Sequence, residues 1–359
     1  MPKLKGLLTA AAAAVCFAAP QGASAWGEPG HQVIGSIAWA ILNQPGHDNA
    51  RQHVQAILNS IGNHTLAEAA TWADCVRDVG KSNSGFGVSY VKGKTPQICM
   101  DAFPENDQTE TAAMITYVQN NWSQCDYTRP GGGQCDLTFH FEDIPYQHGG
   151  YTPTELSTSK HDALSAIGEA IYYLQNGQDS AGSMVVYSSP REALFVLAHL
   201  VGDIHQPLHV GAVYLDAQGG VVDPGADTAL AKQTFTTGGN FIYDAASRSS
   251  KPPELHGEWD KIPANLGTSA SNALVADAQS KVAADTGDLT QWPASWASES
   301  VALARDKAFA GLTFSGHGPG KWIFTAPQGY VRLRANVQKL QLERAGVRLA
   351  ELLEAIWPG

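Results

Sequence analysis

Positive charge is in short supply: 23 lysines and arginines stand against 34 aspartates and glutamates, a formal net charge of −11. That balance argues against a protein that grips nucleic acid through a broad basic surface. A polyanion could be held only where cations are concentrated locally. Long apolar runs are also missing. Beyond the N-terminal segment no stretch reaches the roughly 18 apolar residues of a membrane-spanning helix, and no basic amphipathic segment with exposed aromatics points to docking on a bilayer. There is no block of like charge, no coiled-coil or collagen period and no repeat of about 20 to 50 residues. Two-residue alternation is scarce as well, which disfavours an extensive sheet.

What the chain does contain begins with an export signature. Lys3 and Lys5 precede an apolar run from Leu7 to Ala19, and Ala23-Ser24-Ala25 has the small-x-small pattern that signal peptidase accepts. Residues 1–25 are therefore expected to be removed and the protein secreted or delivered to a periplasm. Residues 26–359 remain, long enough for one domain with a substantial core. Of the five cysteines, Cys16 leaves with the signal. In an oxidising compartment Cys75, Cys99, Cys125 and Cys135 read as two disulfides with three possible pairings. Cys75 with Cys99, and Cys125 with Cys135 across a Gly-rich loop, is the preferred arrangement; free thiols are the alternative.

Apolar positions recur at helical spacing, so the chain is expected to be mainly α-helical. Candidate helices run from His31 to Asn43, Ala50 to Ser60, Thr65 to Val79, Gln108 to Trp122, Lys160 to Leu174, Pro190 to Ile204, Ala273 to Ala284, Pro293 to Ala310 and Pro327 to Ile356. Pro190, Pro293 and Pro327 suit first-turn positions. Loops are expected at Lys81 to Pro104, at Asp126 to Gln134, and from Gly211 to Gly239, the last long enough for its middle to be an insertion.

The densest chemistry is AHLVGDIHQPLH, Ala198 to His209. His199 and Asp203, four residues apart, project from one helix face, about 40° from each other. Pro207 should end or bend that helix and redirect His209. Imidazole and carboxylate together suit zinc. LHGEWD repeats the spacing with His256 and Asp260. An isolated pair of this kind reads as a cap or a solvated histidine; two pairs together read as ligands. His140 in the apolar stretch LTFHFEDIP and Asp74 in ATWADCVR would be costly if buried without partners. His31 follows the proposed cleavage point, and cleavage before Trp26 would free an α-amino group that can chelate a metal together with its own carbonyl oxygen. His205 reads as packing beneath the ligands, and His47, His53, His64, His148, His161 and His317 as exposed.

Trp26-Gly27 with His31, Asp74 in WAD, His140-Phe141, HLVGDIHQPLH, Gly238-Gly239-Asn240 and LHGEWD resemble the secreted class I single-strand-specific zinc nucleases of the phospholipase C and P-one nuclease superfamily. The motifs run in the family's order from Trp26 to Asp260. The resemblance implies a single-domain α-helical fold with a cleft holding three Zn2+. Asp74, His140, His199 and Asp203 would hold the first ion. Asp203 would bridge to the second, held also by His31 and the amine and carbonyl of Trp26, and His209, His256 and Asp260 would hold the third. Phe141 would be the platform for a nucleobase. The long 211–239 segment and the residues after Phe141 depart from the pattern of fungal members.

On this reading the nucleophile is a water activated by ions that share Asp203, and no protein base is needed. The expected enzyme is a monomer that cuts single-stranded DNA and RNA to 5′-phosphorylated products and removes 3′-phosphates from nucleotides. A zinc-dependent phospholipase C, with nearly the same metal set, is the closest alternative. A non-catalytic secreted zinc-binding module is the other, and it would need a closed coordination sphere.

Overall fold

Ser189 starts the helix around which the rest is arranged. In the computed structural model, which describes residues 26–122 and 135–359, its hydroxyl accepts the Glu192 amide. Pro190 occupies the first turn, and the helix Pro190–Asp203 follows. Every residue from Arg191 to Asp203 is buried, as expected of a helix with apolar residues on all sides. Ala163–Asn176, Glu28–Leu42, Asp48–Leu58, Leu66–Ala69, Trp72–Cys75 and the C-terminal helix Tyr330–Ile356 all pack against it. Glu28–Leu42 also lies along Tyr330–Ile356. The approach depends on Gly346, where a Cβ would stand 2.6 Å from Ile37.

The mainly α-helical expectation holds, with strands short and peripheral. Val79–Ser82 pairs with Gly85–Val88, Ile144–Pro145 with Gly211–Ala212, and Tyr214–Leu215 with Val221–Val222. In a three-stranded sheet Trp322–Thr325 lies between Ile242–Asp244, parallel to it, and Thr313–Gly316, antiparallel. Around this sheet Leu208, Leu255, Trp259, Trp322, Phe324 and Tyr330 form an apolar cluster separate from the large helical one. No described helix is long and apolar enough to cross a membrane.

Four expectations need correction. Thr65 to Val79 is two short helices, Leu66–Ala69 and Trp72–Cys75, followed by a 3-10 turn. Between them the Ala70 carbonyl turns to accept His199 Nδ1 at 2.8 Å. Pro327 precedes its helix instead of starting it, because Gly329 adopts φ +86° and the helix begins at Tyr330. The 81–104 stretch contains the strand Gly85–Val88 and the helix Gln97–Ala102. The 211–239 segment is folded, with three of the short strands and the helix Thr228–Thr234. Trp322 Nε1 and Gly316 N donate to its carbonyls at Asp216 and Gln218, so it is held on the sheet.

Cys75 and Cys99 form a disulfide with Cα atoms 5.4 Å apart. Residues 1–25 lie outside the described residues, and so does Cys125 of the proposed Cys125–Cys135 pair.

Candidate metal centre

The eight proposed side-chain ligands converge from six segments. His31 comes from Glu28–Leu42, Asp74 from Trp72–Cys75, and His140 from the end of the 3-10 helix Cys135–His140. His199 and Asp203 lie on the central helix, one turn apart. Pro207 opens a new short helix, Pro207–Val210, that carries His209. His256 and Asp260 sit on and just after Leu255–Trp259. All eight are buried.

Their ligand atoms form three groups, each within 4.8 Å: His31, Asp74 and His199; His140, His199 and Asp203; and His209, His256 and Asp260. One oxygen of Asp203 faces His140 Nδ1 at 3.0 Å and His199 Nε2 at 3.3 Å, and the other faces His31 Nε2 at 3.3 Å. Asp203 is thus placed between two neighbouring sets. His199 Nε2 is 3.9 Å from Asp74 Oδ1, linking the first two groups.

In the third group the hydrogen bonds leave the imidazole ligand atoms bare. His209 Nδ1–H donates to the His140 carbonyl at 2.7 Å, and His256 Nδ1–H to the Gly238 carbonyl at 3.0 Å. A carbonyl only accepts, so these bonds put the proton of each neutral ring on Nδ1 and leave Nε2 as a lone pair. The two Nε2 atoms stand 2.8 Å apart. Neither can donate to the other, and a cation between them is the chemistry that satisfies both. In the other groups both ring nitrogens of His31, Asp74 Oδ2 and Asp203 Oδ1 are buried without a hydrogen-bond partner. Unpaired buried atoms of this kind are expensive, and the donor set fits a metal.

Four of the five ligand histidines are held neutral, while Asp203 and Asp74, outweighing burial, raise His199. Burial, reinforced by His199, pushes His31 down to about 4. Burial also lowers His140, His209 and His256, so these imidazoles are neutral and able to ligate. Burial would raise the Asp74 carboxyl, but His199 and Arg77 outweigh it and hold it at about 2. Burial is outweighed at Asp203 as well, by His199 and by the imidazoles of His140, His199 and His31 that face it. Asp260 goes the other way: burial raises it well above the carboxylate range, opposed by a bond from Gln206.

Trp26 is fully buried, with its indole N–H donating to the Gly202 carbonyl at 3.0 Å. The next amide, Gly27 N–H, donates to the Asp260 carbonyl at 2.9 Å. The start of the described chain is therefore tied both to the turn before Asp203 and to Asp260. Gly30 makes room for it, since a Cβ there would lie 2.4 Å from that of Trp26. Phe141, directly after His140, is partly exposed.

These residues lie within a well-matched family region. The chain matches the S1/P1 Nuclease family over residues 26–131 and 125–358. It belongs to the S1/P1 nuclease family. Among its relatives are Endonuclease 4 of Arabidopsis thaliana, 25% identical over 280 residues that cover 75% of this chain and 84% of that protein, and Endonuclease 3 of the same plant, 25% identical over 285 residues with the same coverage. Endonuclease 1 is 28% identical over 167 residues, 46% of this chain and 50% of the relative. As an S1/P1 nuclease family member the chain is a hydrolase of phosphodiester bonds, in a metal-dependent family.

Some histidines differ from expectation. His64 and His161, read as exposed, are buried. His64 lies against Phe103 with Nε2 3.2 Å from Glu110. His53 and His317 are exposed, while His47 and His148 are partly covered. His205 packs as expected, its ring near Trp296 and its Nδ1–H on the Val201 carbonyl. Two side chains beside the ligands escaped the sequence reading. Arg77 reaches Asp74 Oδ1 at 3.1 Å, and its three-residue spacing from Asp74 was the available signal. Gln206 has no such signal, because an amide inside the motif is not a metal ligand.

Proposed function

We propose that this nuclease is an exported, zinc-dependent endonuclease acting on single-stranded DNA and RNA. It gives 5′-phosphorylated products and also removes 3′-phosphates from mononucleotides. The observation that supports this most is the pair of deprotonated imidazole nitrogens of His209 and His256, facing each other at 2.8 Å beside Asp260. Three Zn2+ are assigned. Asp74, His140, His199 and Asp203 hold the first; Asp203, His31 and the amine and carbonyl of Trp26 hold the second; His209, His256 and Asp260 hold the third. The bonds that draw Trp26 and Gly27 toward Gly202 and Asp260 favour the terminal assignment. Residues 1–25 act as the signal peptide, and residues 26–359 work as one monomeric domain without stable membrane association.

When bound, the ions supply a water activated for attack on phosphorus and positive charge opposite the phosphate oxygens. The chain's own contribution is orientation. Carbonyls of Ala70, His140 and Gly238 fix His199, His209 and His256, and Asp203 offers an oxygen to each side. Phe141 offers a ring face to an unstacked base, worth about 1–3 kcal/mol per base with little sequence discrimination. Duplex bases already stack on one another, so single strands are preferred.

The test is a side-by-side assay of single-stranded DNA, RNA, a 3′-nucleotide and phosphatidylcholine, with zinc and after chelation. Chelator-sensitive cleavage of both nucleic acids and of the nucleotide is expected. Cleavage of the lipid without cleavage of nucleic acid would overturn the assignment in favour of a phospholipase.

A further inference from the structure

Gln206 is fully buried in the turn between Asp203 and His209. Its side-chain carbonyl accepts the Leu208 amide at 2.6 Å, capping the short helix that carries His209. Its NH2 group donates to Asp260 Oδ1 at 2.7 Å. Helix starts favour the shorter arms of Ser, Thr, Asp and Asn, so capping alone does not explain a glutamine here. The extra methylene matters at the far end, where it lets the amide span from the helix of His209 to Asp260. The oxygen it grips stands 3.6 Å from His256 Nε2 and 3.9 Å from His209 Nε2, facing both imidazoles. An amide has the right chemistry for that task, because it donates to a carboxylate without adding a charge that would compete with a cation.

We infer that Gln206 is a positioning residue for the third metal ion, holding the Asp260 carboxylate on the His209–His256 pair and thereby setting the affinity for that ion. The inference rests on the three-zinc assignment above.

Three substitutions in the processed full-length chain separate this role from capping. Gln206→Asn keeps a capping carbonyl but withdraws the donor from Asp260. Gln206→Glu keeps the length and a capping oxygen but presents an acceptor to the carboxylate, and Gln206→Ala loses both functions. Zinc per chain is measured across a graded chelator series. Wild-type protein is expected to hold three ions. All three variants should release one of them at about 10- to 100-fold weaker affinity, while the other two ions keep wild-type resistance. A capping role alone predicts that Asn and Glu behave as wild type and only Ala changes, and that result overturns the inference. Equal weakening of all three ions overturns it too. Wild-type protein that binds fewer than three zincs would bring down the assignment itself, so the wild-type arm tells the two failures apart.

Discussion

Asp203 presents its two carboxylate oxygens to different partners, one to His140 and His199 and the other to His31. Replacing it with asparagine removes charge from two proposed ions at once. Metal-derived stabilisation is worth several kcal/mol, so Asp203→Asn should lower kcat by about 10³-fold or more, with a matching loss of bound zinc. Activity within tenfold of wild type would remove Asp203 from the centre. Phe141→Ala should raise KM on single strands by about 5- to 150-fold, the equivalent of one stacked base, and leave zinc content unchanged. The convergence of His199 with Asp203 and of His256 with Asp260 was legible because an imidazole and a carboxylate four residues apart share one helix face. Their orienting partners were not, since Ala70, His140 and Gly238 act through main-chain carbonyls that any residue carries. His64 was misread for a similar reason. Its sequence neighbours are polar, while the Phe103 and Phe195 rings that cover it arrive from distant segments.

Cys75 follows Asp74 on a helix of only four residues, and its bond to Cys99 anchors that helix. Opening the bridge with Cys75→Ser and Cys99→Ser should cost about 2–4 kcal/mol of stability, read from urea denaturation of the metal-free protein. A difference under about 0.5 kcal/mol, the scale of an ordinary surface change, would show that the bridge is not a structural tie. The long helices were legible within a few residues because their apolar period is sustained. Elements shaped by distant contacts were not. The helix expected from Thr65 to Val79 breaks where the Ala70 carbonyl is drawn to His199, and the strands Ile144–Pro145 and Ile242–Asp244 exist only through partners far away in the chain. The 211–239 segment looked like a loop because its Gly and Pro residues punctuate each piece, whereas its order comes from docking on the 313–325 hairpin.

Proton binding acts on the whole molecule. Burial lowers His31, His140, His205, His209 and His256, His31 to about 4. The unfolded chain takes up protons on these groups below about pH 6.5 while the folded one does not. By themselves these five groups destabilise metal-free protein as pH falls from about 6.5 toward 4. His199, raised by Asp203 and Asp74 against the effect of burial, and His148, clamped between Glu155 and Asp223, oppose this trend. Their stabilisation is complete below the ordinary histidine value and is lost as pH rises through the raised one. Burial also raises the carboxyls of Asp260, Glu192 and Glu351, the last two to about 7, and these oppose the trend as well. The direct check is therefore histidine NMR of chelated protein: the five rings should stay neutral as pH falls below the ordinary histidine value, and protonation of most of them near pH 6.5 would contradict their buried neutral state. On the proposed function, folding gathers these ligands and the new N-terminus into one trinuclear site. Zinc-edge anomalous diffraction from zinc-saturated crystals of the protein beginning at Trp26 tests that most directly. Three peaks are predicted, two flanking Asp203 and one among His209, His256 and Asp260. Peaks elsewhere, or none among these residues, would contradict it.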